Sequence, residues 1–146
     1  MLAIQGITMK IELDSSPKIS DIEEIRSHLR KYNDEHLEGV VEQPVAIYVY
    51  NDEQDKIAGI TAEIWGNWLH VKLLWVAESL RGSNIGTHLL KQLEEHAASQ
   101  GCQYAQVETF SFQARPFYEK NGYSCQMTLE NYPVSTAVHY LVKKLR

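Results

Sequence analysis

The sequence predicts a mixed α/β fold, a sheet flanked by helices rather than a regular doubly wound one. Three observations point to it. An apolar run from Leu69 to Val76, short, continuous and rich in Val, Leu and Trp, reads as a buried strand. From Thr87 the spacing turns helical, with Leu89, Leu90, Leu93 and Ala97 on one stripe. The predicted order β-α-β-β-β-α-β-α-β-β is too irregular for an array of parallel βαβ units.

Residues 2 to 13 alternate loosely and predict an opening strand, ended by Asp14-Ser15-Ser16-Pro17. A helix follows from Ile19 to Leu37, with Ser20 or Asp21 as cap and Ile22, Ile25, Leu29 and Tyr32 as its buried stripe. Gly39 and Pro44 mark its exit. Val45 to Tyr50 reads as a strand, Asn51 to Asp55 as a polar turn, and Ile57 to Trp65 as the next strand. Gly66-Asn67 then predicts a tight hairpin.

With that two-residue loop, Trp65 faces Trp68, Glu63 faces His70 and Thr61 faces Lys72 on one side of the hairpin. Ile60, Ala62, Ile64, Leu69, Val71 and Leu73 fall on the other side and read as core. Downstream, a helix from Gly86 to Ser99 closes at Gly101, and Tyr104 to Phe110 is a strand. Gln113 to Lys120 is a short helix stopped by Asn121-Gly122. Tyr123 to Leu129 and Ala137 to Lys144 are the last strands, with Pro133 in the loop between them.

Composition narrows the function classes. The 146 residues are expected to form a single domain, 1–146, and no apolar run approaches the roughly 18 residues of a membrane span. A net charge of -5 argues against general nucleic-acid affinity; it is mildly compatible with a cationic substrate, although a solubilising surface is the blander explanation. Met1 to Gly6 lacks a basic start and a long apolar segment, so no signal peptide is expected. Cys102 and Cys125 lack metal-ligand spacing, which predicts reduced, packed thiols in a cytoplasmic protein and no metal site.

The chemistry concentrates between the buried strand and the helix, in Trp75-Val76-Ala77-Glu78-Ser79-Leu80-Arg81-Gly82-Ser83-Asn84-Ile85-Gly86-Thr87. Gly82, Asn84 and Gly86 are small or tolerate left-handed backbone angles. A strand entering a helix through such a turn aims free N–H groups at one spot, where the helix dipole and Arg81 add positive charge. That is an anion site suited to a phosphate or pyrophosphate. A Walker loop would need a Lys before Thr87, and a dinucleotide fingerprint would need three spaced glycines.

Arg81-x-x-Asn84-x-Gly86 resembles the acyl-coenzyme A loop of the GNAT family of N-acetyltransferases, with Asn84 where Gly is usual. Ser111 to Tyr123, with Ala114, Phe117-Tyr118-Glu119-Lys120 and Gly122, resembles the family's second motif, with Ser111 where Asn is common. Leu69 to Val76, Thr109 to Ala114 and Asn131-Tyr132-Pro133 look like one bacterial branch, with Val134-Ser135-Thr136 in place of its Gly-His. The resemblance implies a central, mostly antiparallel sheet of six to seven strands, and acetyl-CoA as co-substrate. It also implies a primary amine of a small molecule or an exposed protein amine as acceptor. Homodimerisation is common in such a family, and the C-terminal strands could supply an interface.

By that resemblance the backbone N–H groups of Leu74, Trp75 and Val76 bind pantetheine and thioester. Those of Arg81, Gly82, Ser83, Asn84, Ile85, Gly86 and Thr87 hold the pyrophosphate, Ser111 of the second motif is a further cofactor-binding residue, and Tyr118 is the general acid. Tyr118 could instead simply fill core between helix and sheet. For the base, Glu63, His70 and Glu108 all qualify, although a Glu–His pair across strands is also an ordinary sheet pair. His28, His36, His88 and His96 read as surface or helix-end residues. Trp65 and Trp68 could hold an ammonium group by cation–π contact or serve packing. A non-catalytic acyl-CoA-binding module is the alternative function, and a longer acyl group is a third reading.

Overall fold

The computed structural model describes residues 2–146. Contacts divide the chain into two compact units, one ending at Gly39 and one from Val40 to Arg146.

The first unit holds a short hairpin and a helix. Where one strand was expected, β1 (Leu2–Ile4) and β2 (Ile7–Met9) pair antiparallel, Ile4 facing Ile7. Gln5 and Gly6 turn the chain with φ of +50° and +77°. Gln-Gly is a weaker turn signal than Asn-Gly, so alternation alone does not reveal the break. α1 (Ile19–Asp34) stops one turn before the expected Leu37. Lys18 precedes it, and neither Ser20 nor Asp21 caps it with a side chain. Ile22, Ile25, Leu29 and Tyr32, expected to be buried, are exposed. A unit with one helix and one hairpin of three-residue strands has no facing layer of its own to cover the stripe.

The second unit is built on a six-stranded sheet in the order β3-β4-β5-β6-β8-β7. Its strands are β3 (Glu42–Tyr50), β4 (Lys56–Trp65), β5 (Trp68–Val76), β6 (Tyr104–Phe110), β7 (Ser124–Leu129) and β8 (Val138–Lys144). Only β5 and β6 pair parallel. The sheet is therefore mostly antiparallel, as expected. β3 starts earlier than predicted and takes in Pro44, which its edge position tolerates. The polar turn is tied by Asn51, whose Oδ1 accepts from the N–H groups of Glu53 and Asp55 at 2.9 Å each.

The hairpin forms with Trp65 opposite Trp68 and Glu63 opposite His70. The expected Thr61–Lys72 pair does not form. A bulge between Thr61 and Ala62 on the β4 side leaves Lys72 unpaired and sets Leu73 opposite Thr61. Lys72 and Leu73 therefore both lie on the outer face, and Leu73, expected in the core, is 68% exposed. Leu74 and Val76 turn inward instead and pack against the core cluster.

That cluster joins Ile60, Ile64, Leu69 and Val71 of the sheet to Leu89, Leu90, Leu93 and Ala97 of α2 (Ile85–Ser99). The helical stripe read from the sequence is buried as predicted. Gly101 follows α2 at φ +100°, the left-handed exit that favours glycine. Leu90 and Leu93 are fully buried. We expect Leu90→Ala to cost about 2–5 kcal/mol in a urea melt, through lost burial and a residual cavity.

The last helix, α3 (Arg115–Lys120), starts two residues later than predicted and is short. Behind it lies a closed polar triad. Tyr123 donates to Glu94 Oε2 at 2.7 Å and Lys143 Nζ donates to Glu94 Oε1 at 2.9 Å. The buried carboxylate thus has both a hydrogen-bond donor and a counter-charge. Cys102 and Cys125 are free thiols, and burial pushes the Cys102 thiol up from its ordinary pKa.

Candidate active site

Two features of the second unit converge on the C-terminal half of β5. The first is a gap in the sheet. β5 and β6 pair only from Trp68–Tyr104 to Val71–Val107. From Lys72 onward β5 follows β4 alone, through Ile60–Leu74 and Ala58–Val76, while β6 continues with β8. The strands splay there, and the β6-facing edge of β5 has no strand partner.

The second is the loop that carries β5 into α2. Glu78–Leu80 makes one 3-10 turn, and Arg81 Nε donates to the Val76 carbonyl at 3.1 Å, tying the loop to the strand end. The Ser83 hydroxyl donates to the Leu80 carbonyl. Gly82 lies at φ +82°, and Asn84, the residue before α2, adopts the left-handed conformation at φ +65°, ψ +11°. No side chain caps the helix, and its ladder begins where the His88 N–H donates to the Asn84 carbonyl at 3.0 Å. The N–H groups of Ile85, Gly86 and Thr87 therefore precede the intrahelical bonds.

A cavity of about 260 Å³ lies against this turn, lined among others by Leu74, Val76, Arg81, Asn84, Gly86 and Phe117. A Cβ on Gly86 would stand 3.5 Å from the Phe117 ring and 3.9 Å from Leu74, so strand end, helix start and α3 meet here. Donors, dipole and a guanidinium beside an apolar wall suit a phosphate with a thioether- or alkyl-like arm. Gly82, Ile85 and Thr87 also line the cavity. The Trp75 side chain is half-exposed on the other face, and Ser83 is turned to its own loop. Ser111 joins the end of β6 to the start of β8. Its N–H donates to the Ala137 carbonyl at 2.9 Å, and its Oγ accepts from the Ala137 N–H at 3.3 Å.

Because Asn84 already holds the left-handed angle, it is no handicap to the loop. Asn84→Gly is expected to leave coenzyme A affinity within about twofold in calorimetry. Asn84→Val, branched at Cβ and strained at positive φ, should weaken it at least about tenfold.

The outer face of the sheet carries the ionisable groups in two rows fixed by register. Glu42, Trp65, Trp68 and Tyr104 run side by side across β3, β4, β5 and β6. Pro44, Glu63, His70 and Gln106 form the row beside it. A cleft of about 500 Å³ opens over both rows, bordered also by Lys72. A second cleft, about 340 Å³, continues past His70 and Lys72 to Glu108, Phe110 and Tyr132. His70 and Lys72 line both clefts, and His70 stands at the root of the splay.

His70 Nε2 lies 3.4 Å from Glu108 Oε1, and Glu63 lies 3.9 Å from Lys72. The structure thus separates the three candidate bases into a His70–Glu108 pair and a Glu63–Lys72 pair. Burial, helped by the Lys72 charge, holds the His70 pKa below its ordinary value against the opposing pull of Glu108 and Glu63. A half-buried imidazole kept neutral, with one nitrogen turned to a carboxylate, can accept a proton on the other.

Tyr118 is buried on α3, edge-on to Phe117 at 5.1 Å and to Tyr123 at 5.6 Å. Burial pushes its phenol up to about 12, so the hydroxyl remains a proton donor at every physiological pH. It sits behind Phe117, which itself lines the loop cavity.

Glu42 escaped the sequence reading, because only the β3–β4 register sets it beside Trp65. His139 escaped too. It is buried on β8, with Nδ1 2.8 Å from Thr128 Oγ1 and 3.3 Å from Arg115 Nη1. Arginine can only donate, which makes Nδ1 an acceptor and puts the ring proton on Nε2. Among the described residues no group of three or more His, Cys, Asp or Glu could hold a metal ion, and no helix is long and apolar enough to cross a membrane.

Comparison with known proteins agrees with this geometry. The chain is 37% identical over 101 residues to blasticidin-S acetyltransferase of Streptomyces morookaense, covering 68% of this chain and 74% of that one. It is 32% identical over 100 residues to an acetyltransferase of Agrobacterium fabrum, covering 68% and 73%. A crystal structure of an acetyltransferase from Agrobacterium tumefaciens superposes with a TM-score of 0.86 at 27% identity, over 93% of this chain and 99% of that one. The profile of the acetyltransferase (GNAT) family matches residues 10–123. With the splayed strands, the left-handed turn into α2 and these relatives together, the chain belongs to the acetyltransferase (GNAT) family.

Proposed function

We propose that the protein transfers an acetyl group from acetyl-CoA to a primary amine of a small molecule, by direct attack with both substrates bound. The observation that carries this reading is the splay of β5 from β6, which starts at the His70–Glu108 pair and ends at the anion-binding turn. A phosphate cradle thereby lies at one end of the splay and a proton acceptor at the other. The similarity to an enzyme named for blasticidin S supports a small-molecule acceptor over a protein one.

Acetyl-CoA supplies a thioester carbonyl; the amine nitrogen bonds to that carbon as the carbon–sulfur bond breaks. The loop from Arg81 to Thr87 holds the pyrophosphate through backbone N–H groups, the helix dipole and the Arg81 guanidinium. The unpaired edge from Leu74 to Val76 offers backbone groups to the pantetheine arm, and Gly86 leaves room beside Phe117. His70 accepts the proton that the amine loses, with Glu108 orienting the ring through Nε2. Glu63, already paired with Lys72, helps set the local charge. Tyr118 returns a proton to the departing sulfur.

The test is direct. Purified protein is incubated with acetyl-CoA and a panel of primary amines while free thiol is followed. Thiol release that depends on the amine supports the reading. Coenzyme A binding without turnover on any amine would instead mark an acyl-CoA sensor.

A further inference from the structure

We infer that the acceptor is a dicationic amine whose second cationic group, remote from the reacting nitrogen, is held by Trp65, Trp68 and Glu42 at the outer end of the cleft. This rests on the acetyl-transfer reading above and assigns a substrate class to it. The aromatic end of the cleft is built as a cation site. Trp65 and Trp68 face each other across the tight hairpin on one side of the sheet, so their rings border the same space. Trp68 is stacked on Tyr104 with centroids 4.8 Å apart and an interplanar angle of 27°, which fixes its ring. Trp65 is 53% exposed and leaves a face open to a ligand. An indole face attracts a cation electrostatically, and more strongly when water is displaced.

The charges around the cleft also favour a cation. Its lining includes two carboxylates, Glu42 and Glu63, and one lysine, Lys72. Lys72 is the salt-bridge partner of Glu63, at 3.9 Å. Among the described residues no salt bridge engages Glu42, which stands beside Trp65 in the sheet. The aromatic end therefore has an uncompensated negative charge next to two indoles, a combination that favours a cation and disfavours a neutral or anionic tail.

Register also sets the length of the acceptor. The His70 row and the Trp68 row are two residues apart along each strand, roughly 7 Å, and Glu42 is two strands from His70, roughly 10 Å. A reacting amine at His70 and a second cation at the aromatic end are then roughly 7 to 12 Å apart. A flexible diamine or guanidino-amine of about six backbone atoms spans that distance.

The experiment compares two acceptors of equal length, hexane-1,6-diamine and 6-aminohexan-1-ol, in the thiol-release assay. The diamine should be used with a kcat/KM at least about tenfold higher, the difference lying mainly in KM. Glu42→Gln and, separately, Trp65→Ala should bring the ratio of the two kcat/KM values toward one, and Trp65→Phe should restore much of it. Equal use of both acceptors by the parent protein, or an unchanged ratio in both variants, overturns the cation subsite while leaving acetyl transfer standing. Absence of thiol release with every amine overturns the acetyl-transfer reading instead. The subsite is then judged by quenching of tryptophan fluorescence. Quenching by the diamine but not the amino alcohol, weakened by Glu42→Gln, supports it; equal or absent quenching overturns it.

Discussion

His70→Ala is expected to lower kcat by about 10² to 10⁴ with little change in the affinity for acetyl-CoA, because a positioned general base is worth that much. The accompanying pH profile is the sharper readout. His70 has a pKa held below 6.5 by burial and by Lys72. It is neutral and competent through the physiological range, and kcat/KM should fall only as pH drops through that lowered value. Lys72→Met removes one of the two causes and should move the acid limb upward in pH. If His70→Gln keeps the parent's acid limb, another group is the base. The same depression affects stability. The unfolded chain takes up the proton near 6.5 and the folded one only lower, so folding stability is lost as pH falls below 6.5 toward the folded value. His70→Gln should flatten that slope in urea melts run across this range.

Tyr118→Phe is expected to lower kcat by about 10² to 10⁴ as well, but without a limb of its own in the pH profile. The phenol is pushed up to about 12 by burial, so the parent should show no alkaline limb from this group below about pH 11. The loss in the variant should shrink when the sulfur leaves as a more acidic thiol, because such a thiol needs less protonation. A thioester of thiophenol type provides the comparison. Tyr118 packs edge-on to two rings, and Phe keeps both contacts, so the melting midpoint should move little. Thiol release at the parent rate would reassign the proton donor and leave Tyr118 as packing.

Much of this architecture can be read from local pattern. The stripe of Leu89, Leu90, Leu93 and Ala97, the Gly66-Asn67 turn and the Glu63–His70 pairing follow from periodicity and turn chemistry over short distances. The left-handed Asn84 is legible for the same reason, since few residues other than glycine accept that angle. The rest depends on partners distant in sequence. No residue type announces the bulge at Lys72, so strict alternation sends Leu73 inward and the structure sends it outward. Pro44 looks like a breaker until the strand is known to lie at the sheet edge. The apolar stripe of α1 shows where a helix could be covered, but a pattern carries no information about what covers it. Glu42 joins the site only through a register with Trp65 more than twenty residues away in sequence, and His139 meets Arg115 and Thr128 only in the folded unit.

The bulge at Lys72 also has a meaning in counting. The nine residues from Trp68 to Val76 stand against the eight from Ala58 to Trp65, so β5 has one residue more than β4 can pair. That mismatch falls at the point where β5 leaves β6, and bulged strands bend and twist more strongly than regular ones. The opening between the strands can thus be traced to a surplus of one residue rather than to any particular side chain. A chain lacking Lys72 could pair every remaining residue of β5 with β4 as before, giving a straighter β5 that has less reason to part from β6. The width of the cleft would then be a property of strand length, adjustable by a single codon.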